Sequence, residues 1–418
     1  MGRLREAGRK AAEFLGLRRS IVGLVGMVVL VGMGERMPER FLPLYLLALG
    51  GGDIAIGILS GTQNLLGALY SFPGGYLSDR LGTKRALFVF NVTAMAGYAI
   101  VIVISQWWAV ILGAVFFLSW SAVSLPATME LVSKALPRNK RTMGVTMHSL
   151  VRRFPMAIGP VLGGLFIKFF GVADGVRLAF AVALVMAATS LVLQQKLIVA
   201  DGHAAKKEGA RNPFAIYRLM TGDLKNLLVS DILIRFCEQI PYAFVVIWAT
   251  RTPSVVKPVS EFQFGILTAI EMATAVLVYI PVAYLADRST KKPFVVMTFV
   301  FFTLFPLVLF FSRGFGMLVV AFLLRGMKEF GEPTRKALIM DLAPEDRKAA
   351  MFGLYYLMRD TIVSLAAFGG ALLWAIGAGT NPILGPAVNL FAAFACGIVG
   401  TVWFAMRGRD LGPARAAA

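Results

Sequence analysis

The stretch that decides the fold is G-Y-L-S-D-R-L-G-T-K-R, residues 75–85, a charged segment between two long apolar runs. A shorter copy, Y-L-A-D-R, recurs at residues 284–288, which is 208 positions later (284 minus 76). A charged motif that occurs twice, each time between apolar runs, indicates an internal duplication of the chain.

Matches elsewhere in the chain support the duplication at nearly the same offset. The offsets are 203, 207 and 206 (238 minus 35, 333 minus 126 and 359 minus 153). The matched sets occur in the same order: Glu35, Pro38 and Phe41 with Glu238, Pro241 and Phe244; Pro126 and Pro137 with Pro333 and Pro344; Arg153, Gly163 and Gly164 with Arg359, Gly369 and Gly370. The pattern predicts a parallel repeat of one helical unit.

The composition is that of a membrane protein. The 418 residues are 58% hydrophobic and 16% charged, which leaves too few charges to cover the surface of a soluble domain. A helix needs about 20 apolar residues to cross the hydrocarbon core, and lipid cannot satisfy exposed backbone groups outside helices or barrels. About twelve apolar runs meet that length, at residues 20–48, 55–77, 86–104, 108–132, 143–170, 178–196, 227–250, 260–285, 293–312, 316–340, 349–377 and 385–406.

The net charge of +19 reflects membrane topology rather than nucleic-acid binding. Lys and Arg concentrate in alternate connections, and such an excess is typical of the cytoplasmic side. We therefore expect both termini in the cytoplasm and contact with anionic lipid headgroups. The predicted organisation is a basic N-terminus at 1–19, a six-helix bundle at 20–196, a cytoplasmic linker at 197–226, a second six-helix bundle at 227–406 and a cytoplasmic tail at 407–418.

Residues 75–85 resemble the loop signature of the major facilitator superfamily, G-x-L-x-D-R-x-G-r-K-R. The resemblance implies an all-α membrane fold with twelve transmembrane helices, arranged as two six-helix bundles related by pseudo-twofold symmetry. It also implies a gating role, in which the loop stabilises the outward-open form. The matching residues are Gly75, Asp79, Arg80, Gly82, Lys84 and Arg85, with Asp287 and Arg288 in the second copy.

A second resemblance concerns residues 159–164, G-P-V-L-G-G. They are similar to the fifth-helix motif G-P-x-x-G-G associated with antiporters, many of them drug exporters. The upstream glycine of that motif is replaced by Pro155, and the fourth-helix arginine motif of proton-coupled members has no match at 108–129. We interpret the small and helix-bending residues as hinges for a rocking motion: Gly159, Pro160, Gly163 and Gly164.

Two glutamates are predicted near the middle of membrane spans, Glu35 and Glu238. Ionisable groups at that depth are costly unless paired or hydrated, so they usually line a cavity. The resemblance implies that the two approach a central cavity from opposite halves, and we include Arg36 and Glu39 with them. The alternative is that Glu35 forms a structural ion pair with Arg36 or Arg40.

The matching cations are Arg153 and Arg359, for which we predict pairing with Glu35 and Glu238. A structural salt bridge and a role in substrate binding or gating are both consistent with these positions. The tenth predicted span carries six charges, and i,i+4 spacing predicts the pairs Arg325/Glu329, Lys328/Glu332 and Glu332/Lys336. We select Lys328 and Glu332 for contact with the cavity.

These features favour a secondary active transporter that moves a small organic solute by alternating access in the inner plasma membrane. Proton-coupled efflux of amphiphilic compounds is the leading hypothesis. The alternatives are a uniporter or symporter of an organic anion, favoured by Arg152, Arg153, Arg359 and Lys328, and, more remotely, a non-transporting membrane sensor.

We expect no enzymatic activity and no cofactor. Two histidines are too few for a metal or catalytic site, and the absence of a G-x-x-x-x-G-K-[ST] loop argues against ATP as the driving force. The expected partners are the substrate, the proton and the lipid bilayer, without nucleic acid, and the expected state is a monomer.

Overall fold

The computed structural model describes residues 19–117, 141–197, 217–251, 258–286, 290–344, 348–377 and 380–409, and within these ranges the regular structure is entirely helical. The α-helices are α1 Arg19–Glu39, α2 Leu42–Ala48, α3 Asp53–Leu81, α4 Thr83–Val103, α5 Trp107–Phe117, α6 Arg141–Leu197, α7 Gly222–Gln239, α8 Val245–Arg251, α9 Glu261–Ala286, α10 Lys292–Phe311, α11 Phe315–Gly326, α12 Glu332–Leu342, α13 Lys348–Trp374 and α14 Leu384–Arg407. Two 3-10 helices, Tyr242–Phe244 and Met327–Glu329, continue α7 and α11.

These helices confirm the predicted all-α membrane fold. Seven helices in the described part are long and apolar enough to cross a membrane. Within the described ranges, twelve helices result when segments separated by a short break are joined and the kinked α6 is divided. The division of α6 falls at Gly171, where φ is 77° and the backbone leaves the helical conformation. Glycine tolerates this conformation because it has no Cβ.

The described residues fall into two compact units. One contains residues up to 42 together with 69–207, and the other contains 43–68 together with the residues from 208 onward. In the first unit, buried aromatic rings of α4, α5 and α6 pack together: Tyr98 stacks on Phe117, and Phe180 contacts both. In the second unit, the core joins α7, α10, α12, α13 and α14.

The matched prolines interrupt the helices at equivalent places. Pro38 lies within α1, which ends at Glu39, and Pro241 follows α7, which ends at Gln239. The turn after each break is closed by the same backbone hydrogen bond: Phe41 N donates to Pro38 O at 2.9 Å, and Phe244 N donates to Pro241 O at 2.8 Å. Proline removes one helical donor, so a break near it is expected. The predicted repeat is therefore visible in the backbone of both breaks.

In each unit a glycine packs on the carbonyl that precedes the proline. The two glycines are Gly163 and Gly370, whereas the sequence match pairs Gly163 with Gly369. A Cβ added at Gly163 of α6 would lie 2.1 Å from the Met37 carbonyl oxygen, and one added at Gly370 of α13 would lie 2.2 Å from the Ile240 carbonyl oxygen. No side chain fits at such a distance, so these close helix approaches require glycine. The second contact is reinforced by Asn389, whose Nδ2 donates to Ile240 O at 3.1 Å and to Gly370 O at 2.8 Å.

Candidate functional site

The second unit contains a large group of buried and partly buried charges, here called the ionic cluster. Its members come from α7, α9, α11, α12, α13 and the Met327–Glu329 turn: Asp231, Arg235, Glu238, Glu271, Arg325, Lys328, Glu332, Arg335, Arg359 and Asp360. The cluster places charges in the interior of apolar helices, where each must be compensated.

One centre of the cluster surrounds Glu238, near the C-terminal end of α7. Arg235 Nη1 donates to Glu238 Oε2 at 2.7 Å, and Lys328 Nζ donates to Glu238 Oε1 at 2.8 Å. Lys328 Nζ also lies 3.3 Å from Glu271 Oε1, and Arg325 Nε lies 3.3 Å from the same oxygen. One lysine is therefore shared by two carboxylates from different helices.

The other centre surrounds Asp231, two turns earlier on α7 and 1% exposed. Its Oδ2 accepts hydrogen bonds from Arg335 Nη1, from Tyr355 OH at 3.1 Å and from Arg359 Nη1 at 3.3 Å. Arg335 also donates to both carboxylate oxygens of Glu332, through Nη2 to Oε1 at 2.7 Å and through Nε to Oε2 at 3.0 Å. This bidentate geometry fixes both groups in one orientation.

Arg235 joins the two centres. Besides its bond to Glu238, its Nη2 lies 3.6 Å from Glu332 Oε2, and its guanidinium lies over the Phe302 ring at 5.2 Å. The cations number five and so do the carboxylates, so the cluster as defined is neutral. Neutrality with direct contacts is the condition under which buried charges become tolerable.

The predicted partner of Arg359 was wrong. Arg359 pairs with Asp231 and with the adjacent Asp360, whose Oδ1 accepts from Arg359 Nε at 2.7 Å, rather than with Glu238. The physical reason is the register along α7: Asp231 lies two turns before Glu238 and reaches α13 at the level of Arg359. The guanidinium also covers the Tyr356 ring at 4.2 Å.

The predicted pairs of the tenth span were mostly wrong. Lys336 does pair with Glu332, at 3.4 Å. Lys328, however, pairs with Glu238 and Glu271 rather than with Glu332, and Arg325 pairs with Glu271 rather than with Glu329. Spacing of four residues aligns side chains only on a continuous α-helix. Here α11 ends at Gly326, a 3-10 turn follows, and α12 begins at Glu332.

The first unit contains a smaller polar site at the matched position. Glu35 is 5% exposed and, with Arg36, Arg152 and Pro155, lines a cavity of about 20 Å³, which is room for about one water molecule. Arg36 Nη1 donates to Glu39 Oε2 at 2.5 Å, so the two residues that we included with Glu35 form an ion pair with each other. Arg153 is partly buried on α6.

The predicted hinge residues of α6 lie inside a helix that continues through them. A Cβ added at Gly159 would lie 2.7 Å from Arg36 Cβ, and Gly163 packs on Met37 as described above. Gly164 is buried, and Pro160 is a second proline inside α6 besides Pro155. The structure thus gives the glycines a packing role, and their role as hinges stays a prediction.

The gating motif is described only in part. Gly75, Asp79 and Arg80 belong to α3, but their side chains lie outside the described part, as do Asp287 and Arg288 entirely. Gly82, with φ 77°, separates α3 from α4. Lys84 Nζ donates to the Gln195 carbonyl at 2.8 Å, Gln194 Nε2 donates to the Lys84 carbonyl at 2.7 Å, and Arg85 is exposed. The gating role stays a prediction.

Sequence reasoning missed Asp231, Arg235 and Glu271 as site residues. A signal was present for the two carboxylates. Glu271 lies near the middle of the predicted span 260–285, so the rule that selected Glu238 applies to it as well. Asp231 precedes Glu238 by seven residues, which places both on one face of a helix.

Among the described residues, no group of three or more His, Cys, Asp and Glu side chains has the arrangement of a metal site. The carboxylates of the ionic cluster are instead paired with lysine and arginine side chains.

Comparison with known proteins agrees with this architecture. A 388-residue alignment, covering 90% of this chain and 89% of the relative, gives 23% identity to the "Multi-drug resistance efflux pump PmrA homolog" of Lactococcus lactis subsp. lactis (strain IL1403). The "Inner membrane transport protein YajR" of Escherichia coli (strain K12) is 32% identical over 149 residues, covering 35% of this chain and 32% of that protein.

Solved structures share the fold at low identity. A crystal structure of the nucleoside transporter NupG superimposes with a TM-score of 0.79 at 12% identity, covering 93% of this chain and all of that one. A peptide transporter POT in complex with sulfate gives a TM-score of 0.74 at 14% identity, with 93% and 94% covered. The family model described as Major Facilitator Superfamily matches residues 24–251 and 232–417. The chain belongs to the Major Facilitator Superfamily, as the loop motif and the duplicated helices predicted.

Proposed function

We propose that this multi-pass membrane transporter exports amphiphilic organic compounds in exchange for protons, by alternating access. The observation that carries the proposal is the pair of carboxylates at repeat-matched helix breaks: Glu35 is 5% exposed, and the side chain of Glu238 is 9% exposed. Each lies a few residues before the end of its helix, and an apolar helix continues after each break. A carboxylate in such a place is the usual means by which a transporter binds and releases a proton. The name of the Lactococcus lactis relative supports efflux as the direction.

The charge of the ionic cluster bears on the nature of the substrate. A cluster with an excess of cations would favour an organic anion as substrate. The cluster is neutral and its cations are engaged with carboxylates at 2.7–3.6 Å, so Lys328 and Arg359 give less support to the anion alternative, which then depends on Arg152 and Arg153 of the first unit. The proposal also places both termini and the central linker on the cytoplasmic side of the inner membrane, and the protein in a monomeric state.

Proton flux in liposomes tests the proposal. The protein is reconstituted with an internal pH dye, a pH gradient is imposed, and a lipophilic cation such as tetraphenylphosphonium and an organic anion such as benzoate are added in turn. We expect the cation to trigger proton release, and we expect Glu35→Gln or Glu238→Gln to abolish that release. Substrate movement without a proton signal, unchanged in both variants, would contradict proton coupling and leave the glutamates as structural groups.

A further inference from the structure

A buried group in the second unit that the repeat does not predict lies behind Glu238. Glu271 of α9 is fully buried, and Lys328 Nζ and Arg325 Nε both lie 3.3 Å from its Oε1. Glu271 is not one of the residues that the internal repeat matches between the two halves of the sequence. Its carboxylate is therefore a feature of the second copy of the repeat.

The two carboxylates hold the shared lysine unequally. Glu238 accepts from Lys328 at 2.8 Å and from Arg235 at 2.7 Å, distances typical of charge-assisted hydrogen bonds. The contacts of Glu271 with Lys328 and Arg325 are both longer. If one of the two carboxylates is neutralised, the shorter contact favours retention of Lys328 by Glu238, and the longer contacts of Glu271 with Lys328 and Arg325 are released more readily.

Arg325 has a second means of stabilisation. Its guanidinium lies over the rings of Phe305 at 5.0 Å, Tyr242 at 5.4 Å and Phe322 at 5.7 Å. Cation–π contacts are stronger in a desolvated site than at an exposed one. The cation therefore keeps favourable contacts when Glu271 is neutral, which lowers the cost of protonating that carboxylate.

The charged and titratable groups around Glu271 come from several neighbouring elements. On α8, the charged Arg251 pairs with Glu261 at the far end of α9. The charged and titratable groups nearer to Glu271 are Arg325 of α11, Lys328 and Glu329 of the 3-10 turn, Arg235 and Glu238 of α7, Tyr242 after α7, and Glu332 and Arg335 of α12, which reach the site through Arg235.

Glu271 lies at a close contact between two helices. The backbones of α9 and α11 meet at this level: a Cβ added at Gly326 would lie 2.5 Å from the Glu271 carbonyl oxygen and 2.6 Å from Thr274 Cβ. Gly326 is also the residue at which α11 ends and the 3-10 turn that carries Lys328 begins. The site thus combines an ionisable group, a shared cation and a break in the adjacent helix.

We propose that Glu271 is a further proton acceptor of the transport cycle, besides the repeat-matched glutamates, and that Lys328 moves fully to Glu238, in its ionised form, when Glu271 is protonated. This inference rests on the proposed function. In the step, a water-borne proton bonds to a carboxylate oxygen of Glu271, the ion pairs of Glu271 with Lys328 and Arg325 are released, and the cluster gains one positive charge. The side chains of Glu238 and Lys328 are 9% and 12% exposed, whereas the side chain of Glu271 is fully buried. In this proposal the proton therefore reaches Glu271 from the side of Glu238 and Lys328.

Two transport assays on the reconstituted full chain test the assignment with tetraphenylphosphonium as the probe. The first measures accumulation driven by a pH gradient, and the second measures exchange of labelled for unlabelled probe without a gradient. We expect Glu271→Gln to lower gradient-driven accumulation about 10-fold or more while exchange continues at close to the wild-type rate. Glu261→Gln, which changes a peripheral carboxylate on the same helix, is the matched control and leaves both assays unchanged.

A charge-neutral double variant, E271Q/R325Q, keeps the test valid if the single variant fails to fold, and we expect the same separation of the two assays. Continued gradient-driven accumulation in either folded variant, or loss of exchange in both, overturns the assignment of Glu271. A wild-type protein that exchanges the probe but ignores the pH gradient overturns the proposed proton coupling itself, and the assignment with it.

Discussion

Glu35 and Glu238 occupy equivalent positions of the repeat, yet their surroundings differ. Each precedes a proline break, and behind each break a glycine packs on a backbone carbonyl at nearly the same distance. Glu35 lines a small cavity with Arg36 and Arg152, whereas Glu238 is tied to Lys328 and Arg235 in a cluster that extends over six elements. The duplicated backbone has kept its geometry while the charges around it have diverged.

This difference shows that the two copies of the repeat are constrained more strongly in their backbone contacts than in their ion-pair partners. Close backbone contacts leave no freedom, because a single added carbon meets the neighbouring carbonyl. Buried charges are constrained in another way, because any residue that supplies the compensating charge at the right distance is sufficient. The second unit has therefore acquired its own set of ion pairs.

The largest expected effect concerns Asp231. Replacing it by Asn leaves Arg335 and Arg359 buried with less compensating charge, and loss of one partner of a buried pair costs about 3–5 kcal/mol. We expect a clearly lowered midpoint of thermal unfolding in detergent micelles, followed by tryptophan fluorescence. Restoration of much of that loss by Asp231→Asn combined with Arg359→Met would support the charge explanation. A midpoint equal to wild type would show that the cluster contributes little to stability.

An intermediate effect is expected at the two glycines that pack on these backbone carbonyls. Gly163→Ala and Gly370→Ala each place a methyl group against a backbone carbonyl, and overpacking of this kind costs about 1–3 kcal/mol. The two variants should lose stability to a similar extent in the same unfolding measurement. Gly353→Ala is the control, because its Cβ meets no atom within 4 Å, and alanine within a helix stabilises by about 0.5–1 kcal/mol. Unequal losses at the two glycines would break the proposed equivalence of the backbones.

The smallest effect is expected at the exposed pair of Asp223 and Arg409, which are 2.9 Å apart at the ends of α7 and α14. Their side chains are 34% and 61% exposed, and such pairs contribute about 0–1 kcal/mol. Asp223→Asn should hardly shift the unfolding midpoint, and added salt should remove the shift. This variant is the reference for the shift in unfolding midpoint that is measured for Asp231→Asn. A comparable loss of stability in both variants would contradict the expected difference between buried and exposed ion pairs.

The fold could be predicted from the sequence to a large extent. Apolar runs of sufficient length, the loop motif and the matched Glu–Pro–Phe sets each follow from short-range patterns, and the helices, breaks and family agree with them. The site could be predicted only in part. Glu238, Lys328, Glu332 and Arg359 do come together in one cluster, whereas two of the three predicted i,i+4 pairs and the partner of Arg359 were wrong.

The sequence by itself determined that this chain spans the membrane as a duplicated bundle of helices, because hydrophobicity, charge bias and repeat spacing are properties of the chain read in order. Only the tertiary structure decided which charges meet. Ion pairing depends on distances between different helices and on where a helix breaks, and the 3-10 turn at Met327–Glu329 turns Lys328 from Glu332 toward Glu238 and Glu271. The i,i+4 spacing rule holds only within a continuous α-helix, so it cannot predict the direction of a side chain that follows such a break.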